Sequence, residues 1–250
     1  MIRLEHIRCS FPSGQGERTL ALDGIELIVP EAQFVTVIGT NGSGKSTLLN
    51  CIAGTVQPES GRVLFDGTDV TDLADHQRSR WVARIFQNPL AGTAPELSLL
   101  ENFRLAALRT QPKGFRIGTD QAFRKKVEQA VEEIGLGLER KLDQPMGTFS
   151  GGQRQALTLV MAVMDRSSIL LLDEPTAALD PRTASLVMRL ADLLIRKHRL
   201  TALMVTHNLK DALHYGDRLL HLAEGRIAHD LTGKEQESLS TTTLLDWFEA

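Results

Sequence analysis

The sequence predicts an α/β fold, a parallel sheet covered by helices, and three observations predict it. Four short, mostly apolar segments, Phe34 to Ile38, Val82 to Phe86, Ile169 to Leu172 and Ala202 to Val205, run without polar alternation. That is the pattern of strands buried on both faces. Apolar residues at helical spacing lie between them, most plainly Ala184, Val187, Met188, Ala191, Leu194 and Ile195, which form one stripe. Each apolar segment gives way at once to glycine or polar residues: the loop at Gly39, then Gln87, then Asp173 with Glu174, then Thr206 with His207. Ligands of open α/β sheets bind beyond the carboxyl ends of the strands. Four strands therefore deliver polar tips to one crevice.

Taken in chain order, the first predicted helix follows the glycine loop, runs from Ser46 to Ala53 and stops at Gly54. Arg62 to Asp66 ends in an Asp66-Gly67 turn, an antiparallel signal. Between Gln87 and Ser150 the pattern turns helical, with Phe123, Val127, Ala130, Val131 and Ile134 on one stripe closed by Gly135. This reads as an inserted helical lobe. Within it, residues 109 to 121 are rich in glycine and basic side chains around Pro112 and read as a solvated loop. Ser150 opens a helix that extends to about Met164. Arg218 to Leu222 and Arg226 to His229 flank Ala223-Glu224-Gly225 as a hairpin.

Bulk composition narrows the classes of function. The 250 residues are 42% hydrophobic, enough for a real core, and 28 basic against 31 acidic side chains leave a net charge of -3. That balance gives no electrostatic reason to expect a nucleic-acid partner. Cys9 and Cys51 lie far apart with no CxxC or His-rich context, so neither a metal site nor a disulfide framework is expected, and a reducing cytosol fits best. The longest apolar runs, such as Ala156 to Met164, fall well short of the ~20 residues that cross a bilayer. The first residues lack the pattern of a secretory signal.

Three motifs carry chemistry. Gly39-Thr40-Asn41-Gly42-Ser43-Gly44-Lys45-Ser46-Thr47 fits GxxxxGK[ST] between a strand and a helix. Glycines there let successive backbone N–H groups converge on a phosphate at a helix N-terminus. Lys45 would add charge at the β- and γ-phosphates, and Ser46 a hydroxyl to Mg²⁺. Asp173 and Glu174 end a buried strand, a costly position for two carboxylates unless a cation or a reaction uses them. Asp173 would hold Mg²⁺ through water, and Glu174 would polarise an attacking water as general base. Ser150-Gly151-Gly152-Gln153 again presents a serine and glycines at a positive helix end, a second anion site. One triphosphate does not need two cradles, so the second is expected to serve a nucleotide held by another subunit.

With these three motifs in this order, the chain resembles the nucleotide-binding subunit of an ABC transporter from end to end. The resemblance implies a P-loop NTPase with a RecA-like parallel-sheet core, a small antiparallel β subdomain and an inserted helical subdomain. Its expected division is 1–88 and 161–230 for the core with the β subdomain, 89–160 for the helical subdomain and 231–250 for a C-terminal tail. ATP and Mg²⁺ are the implied ligands. Two copies would pair head to tail, each Ser150–Gln153 segment capping the γ-phosphate in the opposite chain's loop. Gln87 looks like the Q-loop glutamine that touches Mg²⁺ and reports occupancy to membrane subunits. His207 looks like the switch histidine that bonds the γ-phosphate. Asp180 matches the D-loop at the dimer seam and, before Pro181, is equally a helix N-cap. Phe11 sits where the family places an aromatic on adenine; a partly buried strand residue is the other reading.

Two departures from the family pattern stand out. Phe149 replaces the usual leucine before Ser150, and Arg154-Gln155-Ala156-Leu157-Thr158-Leu159 lacks the common arginine-rich continuation. Together with Gln87 to Thr93 and the basic loop near Lys113 and Arg116, the second is similar to the subgroup for tryptophan- or tyrosine-type uptake. The resemblance implies an ATP hydrolase at the cytoplasmic face of the inner membrane. Its partners would be transmembrane permease subunits and an extracytoplasmic solute-binding protein. A soluble ABC ATPase of iron-sulfur cluster assembly shares every motif and is the alternative. A metabolite kinase is disfavoured by Ser150 to Gln153.

Overall fold

The computed structural model describes residues 1–13, 17–109, 118–164 and 167–249. In chain order the elements are β1 (Ile2–Pro12), β2 (Arg18–Val29), β3 (Phe34–Ile38), α1 (Lys45–Ala53), β4 (Ser60–Phe65), β5 (Thr68–Asp69), α2 (Asp75–Arg78) and β6 (Val82–Ile85). They continue with α3 (Leu99–Ala107), α4 (Gln121–Glu132), α5 (Gly151–Met164), β7 (Ile169–Asp173), α6 (Pro181–His198), β8 (Thr201–Val205) and α7 (Leu209–His214). The chain closes with β9 (Arg218–Ala223), β10 (Arg226–Thr232), α8 (Lys234–Glu237) and α9 (Thr241–Glu249).

Among the described residues two sheets form. The larger has the order β10-β9-β3-β8-β7-β6, with every pair from β9 to β6 parallel and β10 antiparallel at the edge. The four apolar segments singled out in the sequence are β3, β6, β7 and β8. Side chains alternate between two cores, as a two-sided sheet requires. Leu170, Leu172, Ala202 and Met204 join the core under α3 to α6, whereas Ile169, Leu171, Leu203 and Val205 join the core shared with α1 and the smaller sheet. Each such leucine contributes roughly 2 kcal/mol by leaving water.

The smaller sheet, β2-β1-β4-β5, is antiparallel. Its first two strands were not singled out in the sequence, although Ile25, Leu27 and Val29 are buried at alternate positions, which is the period-2 signal. The hairpin expected at 218 to 229 forms, with both turn residues left-handed, Glu224 at φ 48° and Gly225 at φ 75°. It extends the larger sheet. Glycine and basic residues from 110 to 117, most of the loop expected at 109 to 121, lie outside the described residues.

Strand β3 lies between β8 and β9, so the chain leaves its end at the point where connections diverge to either side. Helix α1 begins there. Its far end is held by Arg78, a fully buried guanidinium that donates to the carbonyls of Cys51 (2.6 Å), Ile52 (3.1 Å), Thr71 (2.6 Å) and Leu73 (2.9 Å). A cation on the last carbonyls of a helix is favoured by the helix dipole. Burial lowers this arginine's pKa, its neighbouring acidic groups opposing the shift. Cys9 and Cys51 meet across β1 and α1 as free buried thiols, Sγ to Sγ 3.2 Å.

Candidate functional site

The loop from Gly39 to Gly44 is a cradle because its backbone is shaped for glycine. Gly44 has φ 102° and an added Cβ would overlap the Ala21 carbonyl oxygen, so no side chain is tolerated there. Gly44 also stands at the N-cap of α1, and no side chain caps the helix. The first-turn N–H groups of α1 are thus offered outward. Ser43 Oγ is buried without a hydrogen-bond partner. Lys45 is buried, and its Nζ donates to the Gly39 (2.8 Å) and Thr40 (2.7 Å) carbonyls of the same loop. Burial holds its ammonium below the usual lysine range, with Glu174 and Asp173 pulling the other way. A buried cation and an uncapped helix end face one space, and an anion there would answer both.

That space is a cleft of about 390 Å³ bordered by Phe11, Asn41, Gly42, Gly44, Lys45, Ser46, Thr47, Glu174 and His207. Phe11, near the end of β1 opposite Thr19 of β2, is 40% exposed there. Glu174 follows β7 with φ 47°, a left-handed conformation that a glutamate rarely adopts and that clusters at functional sites. Its N–H donates to Val205 O at 3.0 Å, which ties it to the end of β8. From beyond that end His207 reaches across, Nε2 to Glu174 Oε1 2.6 Å. A carboxylate and an imidazole are therefore already paired at the mouth of the cradle.

Asp173 is one residue back on β7, and its Oδ2 accepts from Arg84 Nη2 at 2.7 Å. Gln87, two residues past β6, is exposed and does not border the cleft. Ser150 to Gln153 and Asp180 do not border it either. They form a second patch at the starts of α5 and α6, where Gly151 faces Leu179 and Gly152 packs against Thr183. Ser150 N–H donates to Gln153 Oε1 (3.0 Å) and Gln153 N–H to Ser150 Oγ (3.3 Å), a reciprocal cap. Asp180 caps α6 through Arg182 N and Thr183 N, 3.1 Å each, which lowers its carboxyl pKa, chiefly through Thr183. Its N-cap reading is thus realised. A Cβ at Gly152 would overlap Thr183 Cγ2, so this glycine also serves helix packing.

Two residues were missed. Gln155, buried on α5, donates through Nε2 to Phe86 O (3.2 Å) and Pro175 O (2.9 Å). It links the second patch to the chain just before Gln87 and just after Glu174. Arg84 joins Asp173 to Asn50 Oδ1 of α1 (2.7 Å). Arg84 is a charged side chain inside an otherwise apolar strand, and that interruption was the available signal; Gln155 stands among the polar residues that open α5 and gave none.

Comparison with known proteins agrees with this geometry. The family described as ABC transporter matches residues 22–177. A tyrosine transport ATP-binding protein of Clostridioides difficile is 41% identical over 100% of this chain and 99% of its own length. A phosphonates import ATP-binding protein of Alcaligenes faecalis is 34% identical, covering 92% of this chain and 82% of the relative. Among solved structures, a dimeric ATP-binding cassette in a post-hydrolysis state with ADP and phosphate superposes with a TM-score of 0.79 at 29% identity, covering 93% of this chain and 98% of the other. The cradle, the paired Glu174 and His207 and the full-length likeness converge, and the chain belongs to the ABC transporter family as an ATP-binding subunit whose hydrolysis of ATP is coupled to transport.

Proposed function

We propose that this chain is the motor of an importer for a tyrosine-like amino acid, working as a head-to-tail pair on the cytoplasmic face of the membrane. The observation that supports the reading is the division of the chain into a cleft with the Gly39–Thr47 cradle and the Glu174–His207 pair and a separate patch at Ser150–Gln153 outside it. Phe11 would stack on adenine, the Gly39–Thr47 loop would hold the phosphates, and Lys45 would leave its two carbonyls for them. Glu174 would take a proton from the attacking water. His207, paired with it, would hold both the base and the γ-phosphate in line, so catalysis rests on positioning and charge. Ser150, Gly151, Gly152 and Gln153 of a second copy would close the site, with Asp180 at the seam.

Among the described residues no group of three metal-ligating His, Cys, Asp or Glu side chains exists. Mg²⁺ is held by one or two carboxylates together with phosphate oxygens, and the residues present fit that need: Ser46 borders the cleft and the charge of Asp173 reaches Lys45 within it. Ser46, Asp173 and Gln87 would hold it, and the ion would neutralise charge on the transferred phosphoryl group. No described helix is long and apolar enough to cross a membrane, so permease subunits would supply the channel and a solute-binding protein the specificity. A groove of about 540 Å³ between core and helical lobe, lined by Phe86, Ala91, Gly92, Leu105 and Met161, would receive a permease helix beside Gln87. The segment 89–160 would be the arm that moves with it, and 231–250 a tail.

The test has two parts. Lys45→Ala should weaken ATP binding at least about 100-fold, since a buried charge-assisted contact is lost; unchanged affinity refutes the cradle. Co-purification from its native host should bring down a polytopic membrane protein, and deletion should abolish uptake of labelled tyrosine. A soluble cluster-assembly partner in place of the membrane protein would overturn the transport assignment.

A further inference from the structure

Arg84 occupies a place that the rest of its surroundings fill with hydrocarbon. On the same face of the larger sheet stand Val82, Ile169, Leu171, Leu203 and Val205, all buried in one core. Arg84 pairs with Leu171 in register, and Asp173 is the next same-face residue along β7. Only 14% of the arginine side chain and 16% of the aspartate's is exposed. A buried ion pair of this kind adds little to stability compared with apolar side chains of similar size. The guanidinium is also not fully satisfied: Nε is buried with no partner, while Nη1 holds Asn50 of α1, Nη2 holds Asp173, and Cζ lies 4.9 Å from the Phe86 ring centre.

Charge supplies a reason for the residue. The phosphate cradle must admit a highly anionic ligand beside two carboxylates, Asp173 and Glu174, whose fields both reach Lys45. One ammonium opposes them within the cleft. Arg84 brings a second positive charge to the same group, and it bonds to a single oxygen of Asp173. Resting on the metal-ligand reading of Asp173, we infer that Arg84 is a positioning residue. It fixes the Asp173 carboxylate and compensates its charge until a divalent cation arrives, so that nucleotide can enter before the metal.

The experiment is equilibrium binding of ATP to the full chain, once with excess EDTA and once with Mg²⁺. A charge removed at ~10 Å with an effective dielectric of ~20 changes affinity about tenfold. Arg84→Met should therefore weaken metal-free ATP about tenfold and Mg-ATP less than about threefold, because the cation restores the missing charge. Arg84→Lys should recover most of the metal-free affinity. Equal losses in both conditions, or no loss in either, overturn the inference, since a merely structural arginine would not separate them. If Arg84→Met fails to fold, Asp173→Asn with Arg84→Met leaves no unpaired carboxylate and carries the comparison. It should bind metal-free ATP about tenfold more weakly than Asp173→Asn alone, and equal affinities overturn the inference. If Asp173→Asn leaves the Mg²⁺ dependence unaltered, the metal-ligand reading itself falls. If it alters that dependence while Arg84→Met does not, only the role of Arg84 falls.

Discussion

Helices α1 and α5 both have glycine at their starts, and their first turns are finished in opposite ways. Gly44 gives α1 no side-chain cap, and Ser43 Oγ beside it has no partner. Ser150 and Gln153 instead cap α5 reciprocally. The glycines differ as well. Gly44 leaves no room for a side chain beneath the loop, whereas Gly152 lets α6 approach α5. The cradle is therefore left unsatisfied within one chain and is shaped before any ligand arrives. The α5 patch is self-satisfied until something displaces its cap. In the head-to-tail pair proposed above, the α5 patch of one copy would complete the cradle of the other.

The largest effect that tests this contrast comes from mixing two inactive chains. Lys45→Ala removes the cradle's cation, and Ser150→Arg obstructs the patch; each should lower turnover by roughly 10²–10³, the scale of losing one preorganised anion contact. Mixed together, they should regain turnover, because one intact cradle then faces one intact patch. Continued inactivity of the mixture, with both chains folded and able to associate, would place both half-sites in the same chain. Ser150→Arg alone should keep ATP affinity within about twofold, since the cradle is untouched.

Stability separates the regions next. Arg78→Met should destabilise the chain by about 3 kcal/mol, because four carbonyls lose a charged donor and those of Cys51 and Ile52 end α1. Chemical denaturation measures it, and a change under ~0.5 kcal/mol would deny Arg78 its part in holding the cradle helix. Gly152→Ala should cost about 2 kcal/mol by overpacking α5 against α6. Thr183→Ser removes the methyl that a Cβ would strike and should recover most of that loss. No recovery would mean that Gly152 is needed for backbone reasons alone.

Much of this was legible in the sequence, for identifiable reasons. β3, β6, β7 and β8 announced themselves because a two-sided sheet leaves few polar positions, and the polar residue that ends each run marks the crevice. The left-handed backbone of Glu174 had no signal, since glutamate does not advertise a positive φ. The contacts of Arg84 and Gln155 also went unread, because their partners are set by sheet register and helix packing rather than by nearby sequence. β1 and β2 were missed although they alternate, since bulges interrupt their pairing after Leu4, Ile7 and Cys9.

The smallest expected effect lies at the far edge of the larger sheet. His221 on β9 is buried beside Ile38 of β3, and Trp247 of α9 stacks on it at 5.3 Å and on His229 at 4.1 Å. Burial first, then the positive neighbours His229 and Lys45, lower the pKa of His221. The unfolded chain then binds more protons than the folded one, so stability is full above the unfolded histidine value near 6.5 and falls as the pH drops below it. In a Trp81→Phe background, Tm should fall by ~2 °C between pH 7.5 and 5.5, with Trp247 fluorescence following the same transition. A rise in Tm on acidification would reverse the sign assigned to His221.

The contrast between open cradle and closed patch meets its most direct test in Glu174→Gln, which keeps the cleft and removes the proposed base. Purified with Mg-ATP and followed by sedimentation velocity over a range of concentrations, this variant should bind nucleotide, lose turnover by about 10³ and sediment as a stable dimer. The dimer should disappear when Ser150→Arg is added. A monomer at every concentration, alone and together with its permease, would contradict the shared site.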